Sequence, residues 1–226
     1  MKKPVVDYRT FCLSKLKEPE FQHLLYLLGW VGYFILYFLT EKLIPRERCY
    51  PVHCRLDDVI PFCEYFAVFY VGWYVLIVGS LLYFALYNPD NFKGMMKFII
   101  VTQIAAMIIY IVFPNCQDLR PAEFERENVF TWIMGLIYSF DTSTNVCPSL
   151  HVAYSVGIAS TWCKESSVSK RTKVLLTAFC VMVCVSVAFV KQHSVVDIVV
   201  ALPICALAEW VAYGKCFWME RRRGRV

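Results

Sequence analysis

At 226 residues, 58% hydrophobic and 16% aromatic with a mean hydropathy of +0.50, the chain lies outside the balance of a water-soluble domain and reads as an integral membrane protein. Its net charge of +5 includes the basic run 221–225, which reads as an anchor on anionic lipid and excludes no class except a dedicated nucleic-acid binder. Eleven cysteines contain no paired CxxC spacing, so zinc is not expected, nor is any other metal or cofactor.

The chain opens with an amphipathic segment, 1–21. Glu18 and Glu20 precede the first apolar run and no small-residue cleavage site follows it, so that run is expected to be retained as a span. Stretches 22–40, 65–88, 98–115 and 174–190 carry no charged residue and approach the roughly 20 residues that a bilayer crossing needs. Two more, 148–163 and 194–214, are apolar but hold His151 at one edge and Asp197 and Glu209 inside. Segment 128–140 is apolar with only 13 residues between Glu127 and Asp141, which predicts a short interfacial or re-entrant helix. The expected fold is therefore all-α: one polytopic helical bundle over 1–226, with six spans and one short helix.

Six spans put both tails on one side with loops 89–97 and 164–173, and that side holds sixteen of the 23 Lys and Arg residues. The excess predicts cytoplasmic tails. Arg120, His151, Lys191 and His193 then share the extracytoplasmic side, whether periplasmic, extracellular or lumenal. Cys49, Cys54, Cys63, Cys116 and Cys147 fall there too, with Cys49–Cys54 one candidate disulfide and an odd count leaving one thiol unpaired.

Pro148 suits the first position of a helix with Asn145 or Thr144 near its cap, so that the backbone donors around Ser149 and Leu150 face an incoming anion. His193 and Asp197 are four residues apart and share a helix face. An aspartate so placed fixes the imidazole tautomer and stabilises the cation formed when the ring attacks; the plainer alternative is a pair that merely tethers two helices. His151, taken alone, is an interfacial histidine, but two of only four histidines head apolar runs on one side. Arg120, followed by Pro121, offers a rigidly presented guanidinium suited to phosphate oxygens, or is simply a solvated loop cation.

The ordered set Arg120-Pro121, Asp141-x-x-x-Asn145-x-x-Pro148-Ser149-Leu150-His151 and Lys191-Gln192-His193-x-x-x-Asp197 resembles the type 2 phosphatidic acid phosphatase superfamily, in its branch with PSLH and KQH motifs. Inositol phosphorylceramide and sphingomyelin synthases are more distant relatives, and the likeness covers roughly residues 100–210. The resemblance implies a metal-independent phosphohistidine mechanism. His193 would be the nucleophile, Asp197 its orienting partner, and His151 the acid toward the leaving oxygen and then the base toward the acceptor. Arg120 and Ser149 would bind phosphoryl oxygens, with Asp141 and Asn145 in support; apart from the resemblance, Lys191, two residues before the nucleophile, would offer phosphate a positive charge from another direction. Two positions depart from the pattern: Phe113 and Val187 stand where the superfamily has phosphate-binding cations.

The leading expectation is a lipid phosphatase acting on a phosphate monoester or diphosphate, with the bilayer as its environment, a membrane lipid phosphate as substrate and no nucleic-acid or obligate protein partner. Trp132, Tyr138 and Phe140 would border a lateral entry for the lipid. The alternative is a phosphotransferase that passes a head group to a lipid or polyol hydroxyl. A third reading, a non-catalytic transporter or scaffold, would use Asp197 and Glu209, with Pro203 between them, as an ion path.

Overall fold

The computed structural model describes residues 4–214, and over them the protein is all-α. The basic run 221–225, with Lys2, Lys3 and Lys215, lies outside the described residues. Eight helices follow in order: α1 (Leu28–Leu43), α2 (Arg55–Val59), α3 (Ala67–Tyr87), α4 (Pro89–Val112), α5 (Val129–Phe140), α6 (Leu150–Lys164), α7 (Lys170–Phe189) and α8 (Val195–Tyr213). A tight helical stretch, Gln22–Leu27, leads into α1, and another, Glu64–Phe66, into α3.

Five stretches are long and apolar enough to cross a membrane: Gln22–Leu43, Glu64–Tyr87, Pro89–Val112, Lys170–Phe189 and Val195–Tyr213. The protein is a membrane protein. Helix α6 is shorter, 15 residues, which extend about 22 Å, less than a hydrocarbon core of about 30 Å.

The third long helix starts nine residues earlier than its hydropathy suggests. Asn88 accepts a hydrogen bond from the Asn91 amide at 3.1 Å, Pro89 takes the first position, and residues 89–97, expected as a loop, form the opening turns of α4. Lys93 and Lys97 do not stop the helix, because a long cationic side chain carries its charge toward water while its stem stays on the helix. In the same way α1 continues through Glu41 and Lys42 to Leu43.

Helix α4 forms the centre of the bundle, against α1, α3, α6 and α8. Its Phe92, Met95, Phe98 and Ile99 are buried with Tyr154 and Ile158 of α6 and Ala208 of α8. Gly157 lets α6 approach this surface: a Cβ there would fall 2.6 Å from the Phe98 ring. Helix α1 has the opposite character, with Val31, Ile35 and Phe38 exposed along one face, as suits a helix turned to lipid.

Outside the helices, β1 (Tyr50–Pro51) pairs in parallel with β2 (Asn115–Cys116) and joins the loop after α1 to the loop after α4. The ten described cysteines are all free thiols, so the candidate Cys49–Cys54 disulfide is not formed. The Cys49 thiol lies toward the Pro45 carbonyl at 3.8 Å, whereas Cys54 opens α2, its amide donating to Asp57 Oδ2 at 2.8 Å.

Candidate active site

Two loop ends converge here, and each is held by buried side chains. Ahead of α6, Asn115 Oδ1 accepts the amides of Val146 and Cys147 at 2.9 and 2.8 Å, while its Nδ2 donates to the Phe113 and Cys147 carbonyls at 3.0 and 2.9 Å. Asn145 takes φ 54°, a left-handed conformation that asparagine tolerates, and the Cys147–Pro148 peptide is cis. Ser149, not Asn145 or Thr144, caps α6, and Pro148 lies outside the helix. The Tyr110 hydroxyl holds the Pro148 carbonyl at 2.9 Å and the Ser149 amide donates to the Asp197 carbonyl at 3.2 Å, which pins this residue pair before the first turn.

Between α7 and α8 the chain turns in five residues. The amides of Gln192 and His193 both donate to the Val187 carbonyl, at 3.0 and 3.1 Å, and Lys191 takes φ 52°. Ser194 caps α8 and donates its hydroxyl to Asp57 Oδ2 at 2.6 Å, while Asp57 Oδ1 accepts the Val195 amide at 2.8 Å. Asp197 reaches back one turn, its Oδ2 accepting the Ser194 amide at 3.0 Å.

That same oxygen lies 3.1 Å from His193 Nδ1. A carboxylate can only accept, so the ring proton belongs on Nδ1 and Nε2 presents its lone pair. Nε2 faces His151 Nδ1 at 3.4 Å. Asp197, His193 and His151 therefore form one chain of contacts across α8 and α6. The His151 ring is boxed by Tyr70 and Trp73 of α3, at centroid separations of 4.6 and 4.5 Å.

Both imidazoles border a cavity of about 850 Å³ between α1, α3, α5 and α6. Its walls are mostly apolar and aromatic, among them Trp30, Tyr37, Tyr74, Ile77 and Ile137, and it runs along α1 and α3 as far as Leu27 and Leu81. A second, polar chamber of about 440 Å³ adjoins it, with Asp141, Thr142 and Thr144 common to both and Glu41, Arg46 and Arg120 in its wall. Of the aromatics expected at a lateral entry, Phe140 borders both cavities and Tyr138 only the polar one, whereas Trp132 borders neither. The apolar cavity lies between α1 and α3 more than along α5.

The remaining sequence candidates are placed unevenly. Asp141 and Asn145 border the cavity, and Asn145 Nδ2 donates to Glu41 at 2.8 Å. Arg120 approaches Asp141 at 3.8 Å but spends its guanidinium on carbonyls: Nη1 donates to Asp141 at 2.8 Å and Tyr138 at 3.3 Å, and Nη2 to Thr142 at 3.0 Å. Ser149 and Lys191, expected to contact phosphate, border neither cavity. Ser149 is wholly buried as a cap, and Lys191 Nζ donates to the Asp57 and Ile60 carbonyls at 2.8 and 2.5 Å, tying the turn to α2. Burial lowers the Lys191 ammonium below its ordinary range, with Asp57 and Asp58 pulling the other way.

Sequence reasoning passes over Asp57, Asn115, Gln192, Tyr70 and Trp73. Only Gln192 had a local signal, its place inside the KQH motif. Burial raises the Asp57 carboxyl, but the Ser194 hydroxyl and the Val195 and Cys54 amides more than reverse this, leaving it below the ordinary carboxylate value. Among the described residues no group of three or more His, Cys, Asp or Glu is disposed to hold a metal ion. Glu209, the other acid of α8, pairs with Lys164 at 2.6 Å and accepts from Ser160 at 2.7 Å. Comparison with family models, curated proteins and solved structures finds no match.

Proposed function

We propose that the protein is an integral membrane lipid phosphatase of the type 2 phosphatidic acid phosphatase superfamily, with α6 as a sixth span, cytoplasmic tails and an extracytoplasmic active site. The observation that carries this reading is the Asp197–His193–His151 chain opening on a cavity whose walls suit hydrocarbon. A phosphoryl group binds by parting the two rings. His193 Nε2 donates its lone pair to phosphorus, the bond from phosphorus to the leaving oxygen breaks, and protonated His151 gives that oxygen its proton. Asp197 stabilises the His193 cation that results. Water then attacks phosphorus, passing a proton to His151, and the phosphorus–nitrogen bond breaks to return the electron pair to His193.

Incubation of the purified protein with phosphatidate in mixed micelles tests the reading. Inorganic phosphate is expected from the native protein and not from His193→Ala. A phosphorus label that survives alkali, is lost in acid and is missing from His193→Ala is expected during turnover. If the native protein releases phosphate and His193→Ala does so at the same rate, the proposed nucleophile is wrong.

A second reading, the phosphotransferase, draws support from the polar chamber next to the histidines, whose hydroxyls and charges suit a hydroxylated acceptor or head group. It predicts a new head-grouped lipid, in place of free phosphate, when a phospholipid donor is supplied with ceramide or diacylglycerol. The transporter reading finds less support, since Glu209 is ion-paired with Lys164 about 18 Å along α8 from Asp197.

A further inference from the structure

Gln192 precedes the proposed nucleophile, is 2% exposed and borders the same cavity as both histidines. Its Oε1 accepts a hydrogen bond from Arg120 Nη2 at 2.6 Å. Arginine has donors only, so the oxygen of the amide must be the atom that faces it, and the amide nitrogen must point the other way. That nitrogen, Nε2, is buried with no hydrogen-bond partner among the described residues. Buried donors in folded proteins are almost always paired, so an unpaired amide beside a reactive imidazole marks the position of a ligand acceptor.

The surrounding charges sharpen the point. Phe113 and Val187 provide no cation, and the Lys191 ammonium is held by two carbonyls of the α2 segment. Arg120 is occupied by three carbonyls and by Gln192, and it stacks over the Tyr138 ring at 4.7 Å. Its Nη2 bond fixes the amide rotamer; the Arg120 Nε is also unpartnered among the described residues, but of the two side chains only Gln192 borders the cavity that holds both histidines.

We propose that Gln192 Nε2 donates directly to a nonbridging phosphoryl oxygen of the substrate, and that Arg120 is a positioning residue acting through Gln192. This rests on the phosphohistidine reading of His193. The donor is neutral, so it stabilises charge that develops on the oxygen in the transition state without supplying a full counter-charge.

The test measures phosphatidate hydrolysis and orthovanadate inhibition in purified full-length variants whose folding is checked by detergent thermal melts. Gln192→Met keeps the length and removes the donor; Gln192→Glu keeps the shape and turns a donor into an acceptor. Each is expected to lower kcat on the order of 10²-fold with KM changed less than about threefold, and to weaken orthovanadate inhibition in parallel. Arg120→Met is expected to lower kcat similarly, and the Arg120→Met/Gln192→Met double variant to fall no further than the worse single one. If Gln192→Met and Gln192→Glu fold and retain kcat within about threefold while His193→Ala is inactive, this proposal fails and the phosphohistidine reading stands. Full additivity of the two losses would instead return Arg120 to an independent contact with phosphate. An active His193→Ala would overturn the phosphohistidine reading itself.

Discussion

The orientation of the His193 imidazole depends on one side-chain partner, Asp197. Asp197→Asn would keep the shape but remove the acceptor charge that holds the His193 proton on Nδ1, and its kcat is expected to fall roughly 10²- to 10⁴-fold with little change in KM, measured as phosphate release in micelles. Asp57 is buried further from the chemistry and acts on stability. Its folded carboxyl titrates below the unfolded one, so its stabilisation is complete above the unfolded value near pH 4 and is lost as pH falls through the folded value. Asp57→Asn lacks this dependence. The gap in melting temperature between native protein and Asp57→Asn is therefore expected to be widest near pH 6 and to shrink as pH falls below about 4, as read in detergent thermal melts.

At the scale of elements, the loop ahead of α6 depends on Asn115, which satisfies four backbone groups at once. Asn115→Leu would leave buried amides unpaired and is expected to cost roughly 2–4 kcal/mol, with loss of activity because His151 follows that loop. Gly157→Val would force a side chain against Phe98 and is expected to cost about 1–3 kcal/mol by overpacking; denaturation midpoints of both variants in detergent check these values. The α8 start was legible in the sequence from its apolar run, expected over 194–214 and found over Val195–Tyr213, with His193 one turn from Asp197. The start of α6 was less so. Pro148 suits a first helical position, but a hydroxyl from α4 and a carbonyl from α8 hold it and Ser149 ahead of the helix, and such long-range partners leave no mark on local spacing. The fate of Lys191 and Arg120 was hidden for a related reason: their acceptors are main-chain carbonyls, which every residue carries alike.

Across the whole molecule, composition and hydropathy were enough to indicate an all-α membrane protein, and apolar run length located the long helices to within several residues except at the start of α4. Charge did not end that helix, and the centre of the bundle turned out to be α4, whose sequence looks no more buried than its neighbours. The approach of His151 to His193 was suggested by their shared predicted side and by the motif resemblance, since 42 residues separate them and no periodicity connects α6 to α8. The proposed orientation can be tested with single cysteines at Thr142 and Ser167 on a background lacking accessible native thiols. A membrane-impermeant maleimide is expected to label Thr142→Cys in intact cells, and Ser167→Cys only after lysis; the reverse pattern would invert the topology.

His151 is boxed between Tyr70 and Trp73, and on the proposed chemistry this one ring serves both half-reactions. On the proposed chemistry, the group that departs and the one that arrives must then occupy the same seat in succession. Kinetics of the ping-pong type follow, in which the released lipid alcohol competes with the incoming hydroxyl for the phosphorylated protein. Phosphorus made chiral with oxygen isotopes would emerge with its configuration retained, having been inverted twice.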